Sequence, residues 1–256
     1  MRDNLKDNFF FEELLKRNIK LNEFTKNMLS EGNVAPNKIE SANFSIFSRR
    51  LSSLIGMYSL GLPISNIRDE MIEISNHIRN EWKQGYGKII AKQEDDGQVF
   101  SHDQYYLWHY EKMLDLISLA YLLKIPDENF ENIVSVIDRD NIQDHLFEFI
   151  ISSRFPDRKK NIVESYDLEH SIILKVYDKL RRAINSNDVE EASQLIEKFL
   201  KQDFYHKNMG RYNSHKGKSH TYCGYWSFES AVVVKIKGLD ESIFGIKKYF
   251  PKDIIH

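Results

Sequence analysis

Apolar side chains recur every three to four residues along most of this chain, the period of an α-helix with one face turned to a core. In residues 5–29 they fall at Leu5, Phe9, Leu14 or Leu15, Ile19, Phe24 and Met28, until Gly32 and Pro36 break the run. A second helix is predicted from about Asn37 to Leu60 through Phe44, Phe47, Leu51, Leu54, Ile55 and Tyr58, ended by Gly61 and Pro63. A third uses Ile64, Ile67, Met71, Ile74, Ile78 and Trp82. Periodicity then stops. Gly85, Gly87 and Gly97 punctuate Lys83 to Ser101, which reads as a long loop with a short ordered piece at Lys88–Ala91. Helical spacing resumes at Tyr106, Tyr110, Met113 or Leu114, Ile117 and Tyr121. Pro126 can then sit in the first turn of a helix carrying Phe130, Ile133, Val134 and Ile137. Ile142, Leu146, Phe149 and Ile150 form a further set.

The polar, kinked run Arg154 to Asn161 is the best boundary in the chain, giving an N-terminal helical domain over residues 1–155 and a C-terminal one over 162–256. A tightly packed pair of subdomains fits the same pattern. Beyond the run, Leu168, Ile172, Val176, Leu180 and Ile184 mark one helix. Asn187 or Asp188 opens the next, with Glu190 and Glu191 set against the positive end of its dipole. Phe228 to Lys237, stopped by Gly238, makes the last. Alternating strand patterns are nearly absent. The expected fold is all-α, an antiparallel bundle of about eight helices or two packed helical subdomains, with no fixed repeat that would make it a solenoid.

Composition changes this picture little. At 256 residues, 41% hydrophobic and 29% charged, the chain is an ordinary globular protein able to bury a large core without staples. Its single cysteine, Cys223, can form no internal disulfide, as suits a reducing compartment. The charged start around Phe9-Phe10-Phe11 is no secretion signal, and no run approaches the ~18 apolar residues of a membrane span. A cytoplasmic protein with no membrane partner is expected.

Catalytic and metal motifs are weak. His206, His215, His220 and Cys223 fall close together, but with one cysteine and one long gap their grouping is wrong for a closed zinc site. His102 and His109 lack a third ligand. No nucleophile elbow or phosphate-binding glycine loop occurs. No cofactor, no metal and no catalytic residue are expected. Glu94-Asp95-Asp96 is a carboxylate run on a glycine-flanked loop, readable as a solvated loop, a partner-binding site or a metal-binding acid cluster.

The C-terminal stretch carries a sharper pattern. The word Tyr222-Cys223-Gly224-Tyr225-Trp226-Ser227-Phe228-Glu229 is preceded by the pair Phe204-Tyr205 and followed by Tyr249-Phe250-Pro251-Lys252-Asp253. Ser227 is placed to cap the helix starting at Phe228, Gly224 to allow a close approach, and Tyr225 and Trp226 to close over a core. Tyr222, Gly224, Tyr225, Trp226, Ser227, Phe228, Glu229 and Pro251 thus read as structural. These spaced words resemble the C-terminal domain of the PoNi-type immunity proteins, antidotes to polymorphic nuclease effector toxins. Phe204 and Phe250 replace residues that are commonly Trp and Tyr there, each keeping an aromatic. Arg49-Arg50-Leu51 and Tyr58-Ser59-Leu60-Gly61 look more loosely like the N-terminal domain usually joined to it. The resemblance implies an all-helical, non-enzymatic cytoplasmic protein that binds and neutralises one toxin, most often a DNase delivered by a secretion system, and it leaves the toxin contacts unassigned.

Charge suggests where those contacts lie. From Glu94 to Glu148 there are 13 acids and three bases, a net −10, which leaves +8 for the rest of the chain. An acidic face suits a basic nuclease partner. The expected toxin-binding residues are therefore Glu94, Asp95, Asp96, Asp103, Glu111 and Asp115. Glu111 and Asp115, four apart, would share one helix face and repel each other unless a cation relieves them. The competing version sets the basic stretch Lys207 to Lys218 against an acidic toxin. No direct nucleic-acid partner is expected. The alternative function is a helical nucleic-acid-binding or regulatory protein using Lys207, Arg211, Lys216 and Lys218 with Tyr205, Tyr212 and Tyr222 interleaved.

Overall fold

The computed structural model describes residues 1–92, 99–159, 171–207, 210–217 and 221–255. Among them are ten α-helices and one two-stranded antiparallel hairpin, so the predominantly helical bundle expected from the periodicity is the architecture found. The chain divides into two compact units, each assembled from three stretches. Residues 1–86, 123–136 and 213–225 form the first; residues 87–122, 137–212 and 226–256 form the second. Among the described residues no helix is long and apolar enough to cross a membrane.

The first unit is built on α1 (Asn8–Ser30), α2 (Ile39–Leu60) and α3 (Ile64–Glu81). Asp7 starts α1 by accepting a hydrogen bond from the Phe10 amide at 2.9 Å. Gly61, at φ 90°, ends α2 in a left-handed conformation that costs glycine little. The α3 stripe Ile67, Met71, Ile74 and Ile78 is fully buried, as predicted. The inward face of α1 differs from the predicted one. Phe11, Leu14 and Asn18 are buried, whereas Phe9, Ile19 and Phe24 face solvent. The reason is a polar seam against α2. Asn18 donates to the Arg49 carbonyl and to Ser53 Oγ, while Arg49 donates to Asn22 and Thr25 at 2.6 and 2.8 Å. Trp82 packs edge-on against Phe44, with 4.9 Å between centroids, and donates its indole N–H to the Tyr86 carbonyl.

In the second unit the stretch read as a loop forms a hairpin, β1 (Lys88–Lys92) with β2 (Val99–Tyr105), its register slipping between Lys88 and Ile90. α4 (Leu107–Leu122) follows and buries residues around most of its circumference, which makes it the central helix. α5 (Asp127–Arg139) begins in the first unit and ends in the second. α6 (His145–Arg154), α7 (Ser171–Asn185), α8 (Val189–Gln202), α9 (Phe228–Lys237) and the five-residue α10 (Glu241–Gly245) complete the second unit. The expected ends of two helices are met. Asp188 caps α8 by accepting from the Glu190 and Glu191 amides, and Gly238 closes α9 at φ 62°.

Candidate functional site

The sequence places its candidate contacts on the hairpin and on α4. Glu94, Asp95 and Asp96 lie outside the described residues. Asp103, on β2, has a side chain 40% exposed and already partnered: Lys88 Nζ lies 3.1 Å from Oδ1, and Asn141 and Gln143 donate to Oδ2 at 2.8 and 3.2 Å. It ties the hairpin to the turn between α5 and α6 while keeping an edge toward solvent. The hairpin and the start of α4 expose three large side chains, Ile90, Tyr106 and Trp108. The Ile90 amide donates to the Tyr106 hydroxyl, so these two sit side by side. Sequence reasoning placed Tyr106 on a helix's inner face and overlooked Trp108.

Glu111 and Asp115 are elsewhere than expected. They turn into the second unit, where Glu111 is only 9% exposed, so the structure does not offer it to a partner. The cation that relieves their repulsion belongs to the same chain. Arg211 Nη2 lies 3.4 Å from both Asp115 oxygens, and its Nη1 lies 3.5 Å from Oε1 of Glu229 on α9. Three carboxylates thus share one guanidinium in a largely buried site. Burial pushes Glu111 up to about 7 despite the pull of Arg211, and it does the same to Glu229. Asp115 is raised as well, again by burial first. On Arg211 burial works against the charge, but Asp115 and Glu229 outweigh it and hold the guanidinium firmly protonated.

The same pattern accounts for much of the negative charge counted in the sequence. Asp144 accepts from Arg181 at 2.6 Å, from Tyr110 and from Gln104, and also caps α6 through the Leu146 and Phe147 amides. Asp140 receives the Tyr105 hydroxyl at 2.7 Å, and Glu148 pairs with Arg158 at 3.1 Å. A span that is strongly acidic along the chain therefore closes several of its charges internally, against bases that lie outside the span.

The C-terminal word is structural in parts that differ from the expectation. In the first unit Tyr222 donates to the Asp3 carboxylate, Ser59 Oγ donates to the Cys223 carbonyl at 2.6 Å, and the Tyr225 hydroxyl meets Ser214 Oγ and the His215 ring nitrogen. Gly224 takes φ 126°, a backbone that only glycine adopts easily. In the second unit Phe228, Glu229 and Pro251 are buried, and Trp226 is half-buried. Ser227 stands at the start of α9 without capping it through its side chain; its hydroxyl donates to Ser230 Oγ instead, and its amide to the Tyr249 carbonyl at 2.8 Å. The alternative nucleic-acid patch loses two members, since Arg211 sits in the ion cluster and Tyr222 is buried; Lys218 lies outside the described residues. The sequence signal for this cluster is α4 itself, because acids on a helix buried nearly all round call for an internal partner, although nothing local says which residue supplies it.

Two family models match the chain. One, described as PoNe immunity protein (PoNi), N-terminal, covers residues 5–135; the other, PoNe immunity proteins (PoNi), C-terminal, covers residues 142–254. Neither the curated proteins nor the solved structures hold a match.

Proposed function

The chain belongs to the PoNe immunity protein family, and from that premise we propose that it protects by binding its cognate nuclease toxin directly, with no chemistry of its own. The toxin is a DNase, the encounter takes place in the cytoplasm, and the contact is the hairpin. The observation that carries this reading is that the hairpin and the start of α4 expose Ile90, Tyr106 and Trp108, and that Asp103 on β2 also reaches solvent. Tyrosine and tryptophan displayed at the surface are the residue types that anchor protein interfaces, and a carboxylate at the surface suits the positive groove in which a nuclease holds phosphates. Asp103, with Glu94, Asp95 and Asp96, supplies the charge; Glu111 and Asp115 act from behind, holding α4 in place through Arg211.

The test is titration of the purified toxin nuclease domain with Trp108→Ala and with a triple variant replacing Glu94, Asp95 and Asp96 by lysine. Trp108→Ala is expected to weaken binding by roughly tenfold or more, and the charge reversal to slow association most at low salt. Unchanged affinity and association rate in both variants would remove the hairpin from the interface.

A further inference from the structure

A second exposed cluster lies in the second unit, where the chain leaves α8 and where it approaches its end. Tyr205 and Tyr249 stack with centroids 5.5 Å apart and planes at 23°. Tyr212 leans on Tyr205 at 5.3 Å, and exposed His206 lies 6.0 Å from Tyr212. Lys248 Nζ lies 4.8 Å from the Tyr249 centroid and 5.9 Å from that of Tyr205. Tyr212 is 50% exposed, and Ile246, three residues before Tyr249, is 87% exposed.

This patch is built rather than incidental. Tyr249 adopts φ 73°, a left-handed conformation that a bulky side chain takes only when the surroundings impose it. The Ser227 amide holds its carbonyl there, and Phe204, fully buried, supports its ring from below at 5.3 Å. Arg211 lies over the Phe204 ring at 4.4 Å and is fixed by Asp115 and Glu229, which pins the residue next to Tyr212 to the interior. The strain and the buried ions together hold an aromatic surface at the edge of the unit.

We propose that this tyrosine–lysine patch is a second docking surface on the antidote, and that its occupant is an acidic segment of the cognate toxin. Its charge favours an anionic partner: Lys201, Lys248 and Lys252 are exposed on the elements that form it against the exposed carboxylate Asp253, while Lys207 is held by the buried Asp203, which it shares with Lys179. Its geometry selects protein over single-stranded nucleic acid. A base-stacking platform presents open ring faces, whereas Tyr205 and Tyr249 cover each other and Lys248 lies across both. What the patch turns outward is ammonium groups and ring edges, which suit carboxylates and apolar side chains.

This inference rests on the toxin-binding reading above, and the experiment separates the two. The toxin nuclease domain is titrated into the wild-type chain, into the double variant Tyr212→Ala with Lys248→Glu, and into Trp108→Ala, with far-UV circular dichroism confirming that each is folded. Tyr212 and Lys248 are exposed, so the double variant is expected to melt like the parent and to lose roughly tenfold or more in affinity, with a shallower salt dependence. Unchanged affinity in the double variant alongside loss in Trp108→Ala overturns the patch and leaves the toxin-binding reading standing. No binding by the wild-type chain overturns both. A labelled single-stranded oligonucleotide that binds the wild-type chain at physiological salt, and loses that binding in the double variant, assigns the patch to nucleic acid and overturns the proposal.

Discussion

Arg211 concentrates the chemistry of the second unit in one side chain. It neutralises Asp115 and Glu229 and lies near Glu111, and truncating one partner of a largely buried ion group leaves the others without a counter-ion. Arg211→Leu is therefore expected to destabilise the protein by about 3–5 kcal/mol, measured as a shift of the urea midpoint. The same cluster sets a pH dependence. Glu111 and Glu229, held up to about 7, release their protons less readily when folded than when unfolded. Their contribution is complete below the ordinary carboxylate range and is lost as pH climbs through about 7. Arg211, Asp115, Lys112 and Tyr177 are the charged and titratable groups that face them. His109 acts in the opposite sense. Burial, then Lys112, lowers it from 6.5 to about 4, so its contribution is complete above its ordinary value and fades as pH falls toward 4. Above pH 6.5 only the carboxylate effect remains. Stability at pH 8.5 should be lower than at pH 6.5 by on the order of 1–2 kcal/mol, and Glu111→Gln should flatten that slope. A stability that is level or rising across this window would contradict the cluster's protonation.

At the scale of elements, Gly87 offers a sharp test of the hairpin's attachment to α4. It sits at φ 84°, and a Cβ there would lie 2.5 Å from the His109 ring. Its carbonyl accepts from the Tyr106 amide at 2.8 Å, at the junction of β2 and α4. Gly87→Ala combines backbone strain with a clash and should cost about 2–4 kcal/mol in thermal or urea unfolding, whereas Gly85→Ala, with open space around it, should cost only the backbone strain, about 1 kcal/mol. Equal effects would mean that His109 moves aside freely. The junction was hard to see in the sequence because strands of five and seven residues carry too few periods to stand out among helices. Long helices were legible where their inner face is wholly apolar, as in α3, and where a cap residue is unambiguous, as at Asp188 and Gly238. The buried face of α1 departs from its apolar spacing because its seam with α2 runs through the polar Asn18, Asn22 and Thr25, which leaves Phe9, Ile19 and Phe24 facing outward. In the candidate site, the shared face of Glu111 and Asp115 was legible from their spacing. Their cation was not, because Arg211 lies 96 residues from Asp115 and has no local pattern to announce it.

At the scale of the molecule, the chain does not fill its two units in order. α4 belongs with the C-terminal helices, although it falls within the range of the N-terminal family model, which ends at 135 while the C-terminal one begins at 142. α4 supplies Tyr110, whose ring stacks on Phe147 at 4.9 Å and whose hydroxyl meets Asp144 and Arg181, and it supplies Asp115 to Arg211. A fragment of residues 142–256 retains Arg181, Arg211 and Glu229 but loses the central helix that closes their polar groups and much of the apolar surface they pack on. Its buried charges would then have to be solvated, and the helices would hold only local structure. Such a fragment is expected to show helical far-UV circular dichroism with no cooperative thermal transition and little near-UV signal. A longer fragment of residues 87–256, which restores the hairpin and α4, should regain a cooperative transition, because the second unit is then complete. A sharp, reversible melt with native-like near-UV signal in the 142–256 fragment would show that the C-terminal helices form their own core, and α4 would lose its place as the organising element of the second unit.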